Sequence, residues 1–263
     1  MKSPVTRPIA LTVAGSDSGG GAGIQADLKT FAALKVHGTT VITCVTAQNP
    51  REVRAVQALR PSMVRAQLEA VCAELPPAAI KTGMLYSASI IQVVARFRFP
   101  GDPPLVVDPV MVATSGAPLL RPEAMQVLTR RLLPRATLIT PNLPEAELLV
   151  GRRLQEVEDL REAARTLRQR YGCAVLIKGG HLGRVESALD LFYDGEQELL
   201  LEAPRIAGRH THGTGCTYAA AITACLARGD SLVRAVQRAK TFVTRAIAGA
   251  YRAARHDVLL PGA

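Results

Sequence analysis

The chain has 263 residues, 48% of them hydrophobic and 21% charged, with a formal net charge of +10. That composition predicts a globular chain with a core large enough to need no staples, and it excludes a disordered or fibrous one. Aromatic residues make up only 4%, and the arginines are spread over helical stretches such as 121–135 and 161–170, so the basic balance reads as a solvated surface that attracts anions rather than as a nucleic-acid face.

No apolar run approaches the roughly 18 residues a membrane helix needs. Met1 to Pro8 is polar and interrupted by two prolines, unlike a secretory leader. Cys44, Cys72, Cys173, Cys216 and Cys225 are odd in number and contain no C-x-x-C pair, so they are expected reduced, in a cytoplasmic protein.

In chain order, 9–14, 41–47, 79–81, 105–107, 137–140 and 174–177 read as short buried strands. Helical patterns fall between them near 24–34, 62–74, 88–98, 122–133 and 159–171. Strand then helix, repeated, predicts an α/β fold with a mostly parallel central sheet covered on both faces. Around 187–203 the period shifts to two about an Asp194-Gly195 turn, a hairpin signal, and helices follow near 214–228 and 231–250. The whole of 1–263 reads as one domain, with 1–8 and 252–263 as poorly ordered tails.

Each strand is followed by polar or glycine residues: Gly15-Ser16-Asp17, Gln48-Asn49, Lys81-Thr82-Gly83-Met84, Asp108-Pro109, Pro141-Asn142 and Lys178-Gly179-Gly180-His181. In parallel sheets ligands lie beyond the carboxyl ends of the strands, which predicts one broad site there. The glycine run at 19–23 lacks the acid that a dinucleotide fingerprint wants after the second strand, and no P-loop pattern occurs. Asp27, beside the apolar stripe of the first helix, is either a first-turn charge or a substrate ligand. His212-Gly213-Thr214-Gly215-Cys216-Thr217 opens a small-residue helix, the setting of an anion site. Cys216 there is either a thiol made acidic by the helix terminus and fit to act as a base, or a small buried cysteine. Lys178 at a strand end can reach phosphate oxygens. Asn142 and Glu145 suit Mg2+, although Glu145 can equally be a helix N-terminal acid behind Pro144. His210 and His212 lack partners at zinc spacing and read as loop residues.

These motifs, A-G-S-D-S-G-G-G-A-G-I-Q-A-D-L-K-T-F at 14–31, T-A-Q-N at 46–49, K-T-G-M at 81–84, V-D-P-V-M-V-A-T-S-G at 107–116, T-P-N-L-P-E-A-E at 140–147, K-G-G-H at 178–181 and T-H-G-T-G-C-T at 211–217, together resemble the hydroxymethylpyrimidine/phosphomethylpyrimidine kinases of thiamin biosynthesis. The resemblance implies a ribokinase-like three-layer sandwich. It implies ATP-dependent phosphorylation of the pyrimidine to its monophosphate and then its diphosphate, with Mg2+, in a cytoplasmic homodimer. It implies that Gln48 hydrogen-bonds the aminopyrimidine, with Asp27, Met84 and Gly15 on the substrate side. Asn142, Glu145 and Asp108 would organise Mg-ATP, and Lys178 and Thr214 would contact its phosphates. Gly213 to Cys216 would form the anion hole, with Gly213 and Gly215 shaping it and Cys216 as the base. A pyridoxine or pyridoxal kinase of the same subfamily is the rival reading. Two departures stand out: Ser18-Gly19-Gly20 in the first loop, and a shortened tail from Tyr251 to Ala263 with no thiamin-phosphate synthase domain behind it.

Overall fold

A computed structural model describes residues 6–111, 120, 122–180, 182, 187–206 and 212–262. Its nine-stranded sheet has the order β3-β2-β1-β4-β5-β6-β7-β8-β9. The parallel part comprises β1 (Ile9–Asp17), β2 (His37–Gln48), β4 (Ala79–Thr82), β5 (Leu105–Val107), β6 (Leu138–Ile139) and β7 (Ala174–Ile177). At one edge β3 (Val53–Ala58) runs antiparallel to β2, and at the other the hairpin β8 (Ser187–Tyr193) and β9 (Glu198–Pro204) folds back on β7.

The parallel strands are apolar on both faces, as a two-sided sheet requires. On one face Ala10, Ala79, Val106, Leu138 and Leu176 meet α1 (Gly23–Ala33), α7 (Thr214–Ala227) and α8 (Leu232–Ala248). On the other, Leu11, Val13, Ile80, Val107, Ile139 and Val175 meet α2 (Pro61–Glu74), α3 (Ala88–Arg96), α4 (Pro122–Val127), α5 (Leu143–Val150) and α6 (Val157–Tyr171). The chain leaves β1 for β2 on one side and later returns to β4 on the other. The strand order therefore reverses between β1 and β4, where such sheets bind ligands.

Three features differ from the sequence expectations. The helix near 122–133 is broken: after Val127 it widens into a π segment, Leu128–Leu132, and tightens into a 3-10 turn at Leu133–Arg135, because Pro134 cannot supply the next backbone N–H. Val53–Ala58 is an edge strand with no buried residue, so it has no apolar run to read. The C-terminal tail, expected to be loose, pairs β10 (Tyr251–Ala253) with β11 (His256–Val258) and buries Leu259. Among the described residues no helix is long and apolar enough to cross a membrane, and all five cysteines are free.

The outer hairpin is clamped to α8 by a buried ion pair. Lys240 Nζ lies 2.7 Å from Asp190 and donates to the Ala188 carbonyl at 2.8 Å. Removing one partner of such a pair leaves an uncompensated buried charge. Lys240→Met is therefore expected to cost about 3–5 kcal/mol in urea unfolding, with Lys240→Met/Asp190→Leu recovering most of the loss.

Candidate active site

The pairing of β1 with β2 slips between Ala14 and Ser16, a bulge centred on Gly15. A Cβ at Gly15 would lie 2.8 Å from the Cys44 sulfur and 3.7 Å from that of Met84, so only glycine leaves room. The strand then runs on to Asp17. Its carboxylate accepts from the backbone N–H groups of Gly19 (2.8 Å), Gly21 (3.1 Å) and Ala22 (2.8 Å), and so folds the glycine run into a loop ahead of α1. The His212 ring stands 3.4 Å from Asp17 and 3.0 Å from the side-chain nitrogen of Gln48. Burial alone would raise the Asp17 pKa, but the hydrogen bonds from His212, Ala22 and Gly19 outweigh it and hold the carboxyl below its usual range.

The same loop seats α7. Gly213 caps that helix at φ +88°, and a Cβ there would fall 1.8 Å from the Gly21 carbonyl oxygen. Two separate constraints, positive φ and backbone contact, thus demand glycine. Cys216 follows in the first turn of α7, half-buried and near the Gly23 N–H that opens α1. The expected acidic thiol is not what the resting site holds. Burial dominates and, with the charges of Asp27 and Asp108, pushes the Cys216 pKa up to about 11 against the favourable pull of Lys81. One helix terminus and one ammonium do not offset that desolvation.

Beyond β5 to β7 the charged groups converge. Lys178 Nζ lies 2.8 Å from Asp108 Oδ1, which also accepts from Thr140 at 3.2 Å, leaving Oδ2 turned toward Gly215. A bridge between Asn142 and Lys178 prolongs the β6–β7 pairing and sets these two residues side by side. Asn142 and Glu145 form a capping box on α5. Asn142 Oδ1 accepts from the Glu145 N–H and Glu145 Oε2 from the Asn142 N–H, each at 2.9 Å. Glu145 Oε1 faces the Met111 N–H at 3.3 Å. With its oxygen engaged, Asn142 has its side-chain NH2 to offer a ligand. Burial, ahead of the opposing charge of Lys178, raises the Glu145 pKa to about 7.

Asp27 is neither a first-turn charge nor a residue on the open edge. It is wholly buried, with Lys81 Nζ 2.9 Å from both of its oxygens and the Thr12 hydroxyl donating at 2.6 Å. The structure thus gathers Gly15, Gln48 and Met84 into one group and Asp108, Asn142, Glu145, Lys178 and Gly213 to Cys216 into another, along a single sheet edge. Asp27 lies beneath them. Residues 112–116, His181 and Thr211 of the quoted motifs, and also His210, fall outside the described residues. A recess of about 470 Å³ at Met125, Arg130, Leu148, Arg170 and Tyr171 contains none of these groups, so chemistry rather than size locates the site.

Sequence reasoning missed Asp17, Lys81 and His212. The signals were a lysine inside a buried strand and an acid two residues before a glycine run. His212 gave none, because its partners Asp17 and Gln48 lie more than 160 residues away.

The strand order and the charged edge define an α/β fold with a ligand site at the reversal of its sheet, and the fold matches that of ribokinase-like kinases. A family model described as phosphomethylpyrimidine kinase matches residues 17–259, and the chain belongs to that family. It is 53% identical over 240 residues to the hydroxymethylpyrimidine/phosphomethylpyrimidine kinase of Synechococcus elongatus, covering 91% of each chain. Among solved structures, the phosphomethylpyrimidine kinase of Clostridium difficile is 41% identical with a TM-score of 0.81, over 92% of this chain and 100% of that one. The ADP complex of Bacillus subtilis pyridoxal kinase is 38% identical with a TM-score of 0.87, over 97% and 98%.

Gly213→Ala is expected to displace the start of α7, lowering the melting temperature and abolishing turnover. Asp17, whose folded pKa is depressed, contributes stability above the ordinary carboxylate range and loses it as pH falls through its own lower pKa. Asp17→Asn should therefore flatten the acid limb of melting temperature against pH below about pH 4.

Proposed function

We propose that the protein transfers phosphate from ATP to the hydroxymethyl group of an aminopyrimidine, and then to the resulting monophosphate, in thiamin biosynthesis. The observation that carries this reading is the juxtaposition, at one sheet edge, of a ring-sized group with a phosphate-directed group, in a chain of the phosphomethylpyrimidine kinase family.

Gln48 would present its amide to the aminopyrimidine edge, with Met84 and the flat surface of Gly15 against the ring. Lys178 and the first-turn N–H groups of α7 would receive the phosphate oxygens, where charge grows during transfer. The substrate hydroxyl oxygen forms its bond to the γ-phosphorus as the bond to ADP breaks. The hydroxyl proton passes to the thiolate form of Cys216. Because phosphoryl transfer needs little covalent help, most of the acceleration comes from holding the two oxygens in line.

The donor set fits Mg2+. Asp108 has one oxygen turned away from Lys178, and the buried Thr82 hydroxyl beside it has no hydrogen-bond partner among the described residues. The recess lined by Thr82, Gly83 and Asp108, about 10 Å³, has room for roughly one water. Asp108 and Glu145 would hold the ion partly through water, as Mg2+ prefers, and the ion would neutralise phosphate charge. A cytoplasmic homodimer is the assembly proposed, as two-fold pairs are the commonest oligomers.

Cys216→Ala is expected to lower kcat by about 10²–10⁴ with little change in KM; near-normal turnover would remove Cys216 as the base. Gln48→Ala should raise the pyrimidine KM about tenfold, the loss of roughly one buried hydrogen bond. The deciding assay offers hydroxymethylpyrimidine, its monophosphate and pyridoxine side by side with ATP and magnesium. Diphosphate formation from the pyrimidine, with pyridoxine poor, supports the reading. Preference for pyridoxine moves the role to vitamin B6.

A further inference from the structure

Gln48 ends β2 and is held at both its backbone and its side chain. Its N–H donates to the Ser18 hydroxyl at 2.8 Å, and that hydroxyl donates to the Gln48 carbonyl, also at 2.8 Å. The side-chain oxygen lies 3.2 Å from the hydroxyl of buried Thr46, and the side-chain nitrogen 3.0 Å from His212 Nε2. The His212 ring is itself enclosed. A Cβ at Gly21 would stand 3.0 Å from its Cδ2 atom, and Asp17 Oδ2, the charged group facing it, lies 3.4 Å from Nε2. That carboxylate oxygen is fixed in turn by the N–H groups of Gly21 and Ala22.

Counting hydrogens shows which of these neighbours decides the orientation of the amide. A glutamine amide has two N–H donors and an oxygen with two lone pairs. Thr46 and His212 engage one end each, so one donor and one acceptor remain for a ligand. Turning the amide by half a turn keeps that count and reverses the order. Thr46 suits both orientations. Its single hydroxyl hydrogen can go to the Gln48 oxygen, or to the Ser16 carbonyl 3.0 Å away while the hydroxyl oxygen accepts from the amide nitrogen. His212 does not suit both. An Nε2 without hydrogen selects the amide nitrogen, and an Nε2 with hydrogen selects the oxygen.

We propose that His212 is a positioning residue for ring recognition: it fixes which end of the Gln48 amide faces it, and so sets the order of donor and acceptor that the pocket offers to a heterocycle. An aminopyrimidine edge, a ring nitrogen beside an amine, matches one order only. A ring hydroxyl, as on pyridoxine, both donates and accepts and matches either. A fixed amide therefore discriminates between the two rings, and a free one does not. This rests on the assignment of Gln48 to the ring made under the proposed function.

The test is a double-mutant cycle of His212→Phe and Gln48→Ala, with KM and kcat measured for hydroxymethylpyrimidine and for pyridoxine at saturating ATP. His212→Phe keeps a ring in place and removes its hydrogen bonding. It should raise the pyrimidine KM about three- to tenfold, the cost of ordering one freed side chain, and leave the pyridoxine KM within about twofold. In the Gln48→Ala background the same substitution should change the pyrimidine KM by less than about twofold, because the group it acts through is gone.

Equal increases in both backgrounds, or equal losses for both rings, would overturn the proposal. A residue that merely seats α7 would lower the melting temperature and the kcat for both rings, whatever stands at Gln48. Should His212→Phe fail to fold, His212→Gln decides: its own amide takes either role, so ring preference should narrow in the same way. If Gln48→Ala leaves the pyrimidine KM unchanged, the ring assignment itself falls and takes this proposal with it. Additive effects where Gln48→Ala alone is costly overturn only the role of His212.

Discussion

The contact on which the site depends is between two stretches of backbone almost two hundred residues apart. The Gly21 carbonyl and Gly213 approach so closely that no Cβ fits between them. Asp17 makes this possible by gathering three N–H groups of the glycine loop onto one carboxylate. Two helix N-termini, those of α1 and α7, are thereby drawn to the same point on the sheet edge, and their oriented N–H groups bear on one small volume. Cys216 lies near that point, in the first turn of α7.

Charge is arranged beneath and beside this junction in alternating order. Asp27 and Lys81 form one buried couple, and Asp108 and Lys178 a second. Glu145 adds an anion whose proton is held near neutrality. Buried ions on this scale are costly to hold without partners, and each lysine has one. Of the two ammonium groups only that of Lys178 reaches the surface, so it and the helix termini face an incoming polyanion.

Much of this was legible in the sequence because the parallel strands are short, buried on both faces and punctuated by polar residues. Strand–helix alternation gave the α/β architecture and the carboxyl-end location of Lys178, Asp108, Asn142 and Gln48. Helix α5 was hidden because Asn142 and Glu145 look alike as a capping box and as a metal pair, two arrangements with the same spacing. Edge strand β3 carries no apolar run, and edges are where a burial signal is weakest. The burial and pairing of Asp27 were out of reach for a different reason. Its partner lies 54 residues away, and only the register that sets Thr12 against Lys81 brings the three together. Long-range electrostatic pairing leaves no periodic trace.

The half-buried, protonated state of Cys216 has a consequence of another kind. Peroxide and disulfide attack require an accessible thiolate. A thiol with its pKa near 11 exposes almost none of that species while the site is empty. Burial of the sulfur thus works against its oxidation in the empty site, where the reactive form is scarce.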